Sequence, residues 1–173
     1  MEKIPLLNSL EIELVNLYEA DQKDREENLV SNDPQAFWAR EKMRIARARQ
    51  IFDNRETSYI SPEGLHHLAM LFQHGLESDD YLKAWQLAQE SDAAGYEFAG
   101  SLVAAAEDRY LLSIGKKQKW GTQFQKKQSG DLVLLDMMSD DESGVTDEMR
   151  KAKGIMTLTE MTEYLQSEEK KDS

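Results

Sequence analysis

The sequence predicts a mainly α-helical fold: a single helical domain of about six to seven helices over residues 1–166, a small β-hairpin near 117–137, and a flexible charged tail at 167–173. Three observations carry this expectation. Only three prolines and nine glycines interrupt 173 residues, and most fall where a helix would start or stop. Apolar residues recur at alternating steps of three and four over much of the chain. After Gly115 that period gives way to two short extended candidates.

The elements follow in order. Leu7, Leu10, Leu14 and Leu17 form the stripe of an amphipathic helix over about 8–30, with Glu11, Glu13 and Glu19 toward water. Asn32 or Asp33 caps a second helix with Pro34 in its first turn, where a missing amide costs nothing. Trp38, Ile45 and Phe52, spaced by seven, mark its expected buried side. Ser61-Pro62-Glu63 repeats the start signal for a third helix with the apolar face Leu65, Leu68, Ala69, Phe72 and Leu76. Gly75 and Ser78-Asp79-Asp80 stop and restart the chain into a fourth, with Tyr81, Ala84, Trp85 and Ala88 on one side. Gly95 precedes a fifth, Tyr96 to Ile114, whose stripe runs Phe98, Leu102, Ala105, Arg109, Leu112, and Gly115 ends it. Gln118 to Gln125 and Leu132 to Met137 pair as a hairpin across Lys126 to Gly130. The acidic turn 139–144 leads to a short helix near Thr146 to Lys153, and Thr157-Leu158-Thr159-Glu160 has capping-box spacing for a last one.

Composition excludes several functions. The 33 acidic residues outnumber 21 basic ones, for a net charge of −12 that repels a phosphate backbone, so no nucleic-acid partner is expected. Cysteine is absent, which removes disulfides, thiolate nucleophiles and thiolate metal sites. The first residues carry Glu2, Glu11 and Glu13 and no signal-peptide core, and no uncharged apolar run approaches the roughly 18 residues of a membrane span. The expectation is a soluble, cytoplasmic protein without a membrane partner; a protein partner stays open. No P-loop, GxGxxG, HExxH or EF-hand spacing occurs, so no cofactor and no metal are expected. His67 and His74 share a helix face about 10 Å apart, too far for one ion, and His66 and His67 are read as surface or boundary residues.

Arg109 is the most informative position. It stands in a core-facing register, and a guanidinium cannot lose its proton to escape burial. Asp108 points about 100° away, so the partner must come from elsewhere: Asp21, Asp24 or the polar hairpin. His74 is the one plausible general base, beside Gln73 and Gly75. Gln118-Lys119-Trp120-Gly121-Thr122-Gln123 concentrates hydrogen-bonding groups in six residues. Arg40, Arg44 and Arg47 make one basic face, and pairing with the acidic first helix and tail is the favoured reading.

Taken in order, Phe72-Gln73-His74-Gly75, Ala104 to Leu111 with Asp108-Arg109, and Gly115 to Phe124 resemble a family of uncharacterised, mostly bacterial proteins with a QH(A/G)…DR…GxxQx(Y/F)GTQ signature. An Asp-Gln-x-x-Arg-like element at Asp21 to Arg25 and an Arg-x-x-x-Gly-Ile element at Arg150 to Ile155 extend the likeness to residues 10–165. Trp120 stands where the family has Tyr or Phe, and the basic helix at 35–53 is long for it. The resemblance supplies no reaction. It implies that Gln73, His74, Asp108, Arg109, Gln118, Thr122 and Gln123 line one pocket with Asp24, Arg25 and Arg150.

The expected function is therefore a polar pocket for a small anionic or amide-bearing ligand. In a catalytic version His74 is the base or acid, Asp108 its orienting carboxylate, and Arg109 with Arg150 the anion clamps. Gln118, Thr122 and Gln123 orient the ligand, and Trp120 stacks. The competing expectation is a non-catalytic interaction or structural module in which the same residues form a buried network.

Overall fold

The computed structural model describes residues 9–127 and 132–169. Among the described residues there are nine α-helices, six of them seven residues or longer, and a two-stranded antiparallel hairpin: the expected mainly α fold.

Helix α1 (Ser9–Glu26) stops short of the expected end because Asn28 adopts a left-handed backbone, φ 50°, before the single turn α2 (Leu29–Asn32). Helix α3 (Pro34–Asp53) starts as expected: the Asp33 carboxylate accepts the Ala36 amide, with Pro34 in the first turn. Its buried line is Phe37, Glu41, Arg44, Ala48 and Ile51. The expected Trp38 is 43% exposed, while Ile45 and Phe52 flank the core half-buried. The face is rotated by one residue because Glu41 and Arg44 are buried as ions paired with α1, a possibility that apolar periodicity does not register.

Helices α4 (Pro62–Gln73), α5 (Ser78–Ala93) and α6 (Ala99–Ser113) form the centre, with α5 against both neighbours and α1 and α3 against α4. Ser61 caps α4 through the Gly64 amide, and buried Glu11 on α1 in turn accepts from the Ser61 amide and hydroxyl. The core gathers Leu14, Leu68, Phe72, Leu87, Leu102 and Val103, with Ala48, Ala69, Ala84, Ala88 and Ala106 letting helices approach closely. Between α4 and α5 the chain turns at Gly75, where an added Cβ would lie 2.5 Å from the Asp80 Cβ. Asp80 accepts from the Leu76 and Glu77 amides at the start of α5 and pairs with Arg49 through both oxygens. Leu76 and Phe98, expected in apolar stripes, are exposed because each lies just outside its helix.

The hairpin is shorter than expected. Strands β1 (Phe124–Lys126) and β2 (Leu132–Leu134) pair Phe124 with Leu134 and Lys126 with Leu132; the expected turn at 126–130 lies largely outside the described residues. Residues 118–123 are not a strand but a turn, and Gly121 takes φ +83° with Met137 and Met161 where a Cβ would go. The acidic segment folds into a single turn, α7 (Asp140–Ser143), capped by Ser139. Thr146 caps α8 (Asp147–Ala152), and Thr157 with Glu160 opens α9 (Leu158–Glu169). Ser167 to Glu169, expected in the tail, continue α9, and residues 170–173 lie outside the described residues. A second, smaller apolar cluster of Ala104, Trp120 and Val145, with Ile155 against it, joins this part to α6. No helix among the described residues is long and apolar enough to cross a membrane.

Candidate functional site

A cleft of about 910 Å³ opens between α4 and α6 on one side and residues 120–124, 154–156 and Met161 on the other. Met70, Tyr96, Phe98, Leu102, Met156 and Met161 give it a largely apolar wall. At one part of that wall stand Gln73, His74, Arg109, Trp120, Thr122 and Gln123, so the cleft brings together these six of the residues singled out from sequence.

Arg109 sits on α6 in the core-facing register, and the partner it requires comes from the hairpin and a helix end, not from an acid. Its Nε donates to Gln123 Oε1 at 3.2 Å, its Nη1 to the Gln73 carbonyl, and its guanidinium lies 5.8 Å from the centre of the Tyr81 ring. No carboxylate pairs with it, and Nη2 makes no hydrogen bond, among the described residues. Burial lowers the affinity of this guanidinium for its proton; Tyr81 opposes the shift and the nearby charge of Arg25 adds to it. Gln73 and Gln123 both donate to the Ala105 carbonyl, so the amides that hold Arg109 are themselves pinned to α6.

His74 is the residue that ends α4. Its orienting carboxylate is Asp21 on α1, not Asp108: Nδ1 lies 2.8 Å from Asp21 Oδ2. Arg25, one turn on from Asp21, donates to the same carboxylate and to Glu41, so it backs the histidine and does not line the cleft. Burial pushes the Asp21 carboxyl up, but hydrogen bonds and charge from His74 and Arg25 outweigh it and hold the group far below the usual carboxylate range.

The remaining expected site residues are scaffold. Asp108 is 0% exposed and accepts from the amides of Lys119, Trp120 and Thr122 at 2.6, 2.8 and 2.9 Å and from the Thr122 hydroxyl at 2.8 Å. Burial raises its pKa even against those donors, and no lone pair is left for a ligand. Gln118 is equally buried, donating to the Gln123 and Leu135 carbonyls and accepting from the Gln123 amide. Arg150 is sealed against the Trp120 carbonyl, Asp140 and Asp147. Asp24 pairs with Arg40 and Arg44; burial would raise it, but these hydrogen bonds hold it below its ordinary value. Arg47 pairs with Glu13, so the basic face of α3 answers α1 as expected, with Asp24 away from the cleft. Within the cleft, Thr122 has its hydroxyl committed, and Trp120 contributes only its ring because the indole nitrogen donates to Glu107 at 2.6 Å.

Nothing in the sequence paired Asp21 with His74, and His66 and His67 were expected at the surface or boundary. Both histidines are buried with Nδ1 unpartnered among the described residues. His67 stacks on Tyr18 at 4.3 Å, and His66 lines the cleft beside Tyr96. A signal for Asp21 was present: the stripe Leu10, Leu14, Leu17 continues at the same steps to Asp21 and Asp24. No group of three or more His, Cys, Asp or Glu among the described residues is arranged to hold a metal ion. No family model matches the sequence, and no curated protein and no solved structure matches it.

Proposed function

We propose that the protein binds a small amphipathic anion in this cleft, with Arg109 receiving the charged head and the methionine and aromatic wall receiving the apolar body. One observation carries the reading: a guanidinium held in a core register, fixed by neutral groups alone, with Nη2 free and the cleft in front of it. A half-buried cation without a counter-ion still carries a desolvation cost, and an anionic ligand supplies the missing charge. The family membership implied by the three-part signature belongs to this proposal and adds no reaction.

Calorimetric titration with hexanoate, 3-phenylpropionate and hexyl phosphate, against hexanamide as the neutral match, tests it. The anions bind and the amide does not, and Arg109→Gln weakens the anions by about ten- to a hundredfold, the value of a charged hydrogen bond. Equal binding of anion and amide, or an indifferent Arg109→Gln variant, overturns it.

The structural-module reading draws support from Asp108, Gln118 and Arg150, whose hydrogen bonds tie the 118–123 turn to α6 and α8. It accounts for those three and leaves the unpaired Arg109 without a reason.

A further inference from the structure

Resting on that anion-site reading, we infer that the ligand carries, besides its anionic group, a hydroxyl or amide N–H, and that His74 accepts this proton donor through Nε2. What His74 offers a ligand depends on which ring nitrogen holds the hydrogen. Asp21 is ionised, so both its oxygens only accept. Three groups converge on its Oδ2: His74 Nδ1 at 2.8 Å, the Gln22 amide nitrogen at 2.9 Å and Arg25 Nε at 3.3 Å. Arg25 Nε also lies 3.1 Å from His74 Nδ1. If Nδ1 were bare, it would accept from Arg25, and its lone pair would face that of Asp21 Oδ2 at 2.8 Å. With the hydrogen on Nδ1, His74 and Arg25 both donate to Asp21, and only the 3.1 Å approach of their two N–H groups opposes it. A lone-pair clash at 2.8 Å with an ionised carboxylate costs more than that longer approach, so the geometry favours the hydrogen on Nδ1.

The neutral ring therefore turns a bare Nε2 away from Asp21. That atom has no hydrogen-bond partner among the described residues and is not sealed by protein, on a side chain that lines the cleft. Arg109 donates to the Gln73 carbonyl, the residue preceding His74, so the free donor and the free acceptor border one part of the cleft. A donor beside an acceptor matches a ligand such as a hydroxy acid or an N-acylamino acid, not a plain fatty acid. Asp21 is the positioning residue: it fixes the tautomer and touches no ligand.

The tautomer is read directly by long-range ¹H–¹⁵N correlation at pH 8.5, with His74→Gln identifying the resonance. Nε2 is expected at the shift of an unprotonated ring nitrogen; a protonated Nε2 in the neutral ring overturns the inference. Titration then compares hexanoate with 2-hydroxyhexanoate, 3-hydroxyhexanoate and N-acetylnorleucine. At least one donor-bearing anion binds about tenfold tighter than hexanoate, and in His74→Phe that ratio to hexanoate, measured in the same variant, falls to about one. In Asp21→Asn the side-chain amide can donate to Nδ1, which moves the hydrogen to Nε2 and abolishes the preference. Equal binding of all four ligands, with Arg109→Gln still weakening it, leaves the anion site standing and sinks the donor requirement. If no anion binds, or Arg109→Gln changes nothing, the anion site fails and this inference with it. Should Asp21→Asn fail to fold, the wild-type tautomer and ligand series still decide.

Discussion

Arg109 is half-buried and Arg150 fully buried, and their surroundings give them opposite roles. Arg150 has two carboxylates and a carbonyl on its three nitrogens, and it is a completed internal tie. Arg109 has two neutral acceptors and an idle nitrogen beside a cleft, and it is an unfinished one. Register alone identified Arg109 as unusual, because an arginine on an apolar stripe is visible in sequence; the absence of an acid is not, since the partners lie 14 and 36 residues away. Burial has a second residue-scale consequence at His66, whose pKa falls from 6.5 to about 4 through desolvation, with the neighbouring His67 adding to it. The unfolded chain takes up this proton near pH 6.5 and the folded chain only near pH 4, so the folded state loses stability as pH falls through that window and keeps it in full above. His66→Phe keeps a ring beside Tyr96 and cannot be protonated. Its urea midpoint is expected to fall less between pH 6.5 and 4 than that of the wild type; parallel curves would show that the histidine is not held neutral.

At the scale of elements, the 118–123 turn is built on side chains where the sequence suggested a strand. Alternating polar residues read as an extended run, but Asp108 gathers the amides of Lys119, Trp120 and Thr122 and Gln118 closes the run onto the Leu135 carbonyl just past β2. Gln118→Leu keeps the side-chain volume and leaves the Leu135 carbonyl and the Gln123 amide without their partner, while the Gln123 carbonyl retains only the Leu135 amide. The expected cost is about 2–5 kcal/mol, measurable by chemical denaturation, with weaker anion binding because Gln123 no longer holds Arg109 in place. A change under about 0.5 kcal/mol would mean that the backbone closes the turn unaided. The helices tell the converse story. The stripe Leu10, Leu14, Leu17 runs on into Asp21 and Asp24, and on α3 the line Phe37, Ala48, Ile51 passes through Glu41 and Arg44. Charged residues in apolar register on two helices are legible as a pair only once the helices are known to face each other, which is why the buried side of α3 was displaced by one residue in the sequence reading.

At the scale of the molecule, one large apolar core joins α1 and α3 to α6, and a much smaller cluster secures Trp120, Val145 and Ile155 against α6. The cleft lies between these two parts. Local stability follows buried apolar contact, so residues 118–161 are expected to exchange their amides with a lower opening free energy than α4 to α6. Hydrogen exchange with and without a bound anion checks this: protection of the hairpin side rises on binding, whereas uniform exchange across both parts would argue against two levels of stability. The sequence by itself determined the helical class, most helix starts and the identity of Gln73, His74, Arg109 and Gln123 as residues to watch, because caps, turn residues and apolar period are local and act within a few positions. Only the tertiary structure decided that Asp21 holds His74, that Asp108, Gln118 and Arg150 are spent inside the scaffold, and that Arg109 is left over. Burial and partner choice are properties of the space between elements, and a hydrogen bond across 53 residues leaves no period in the chain.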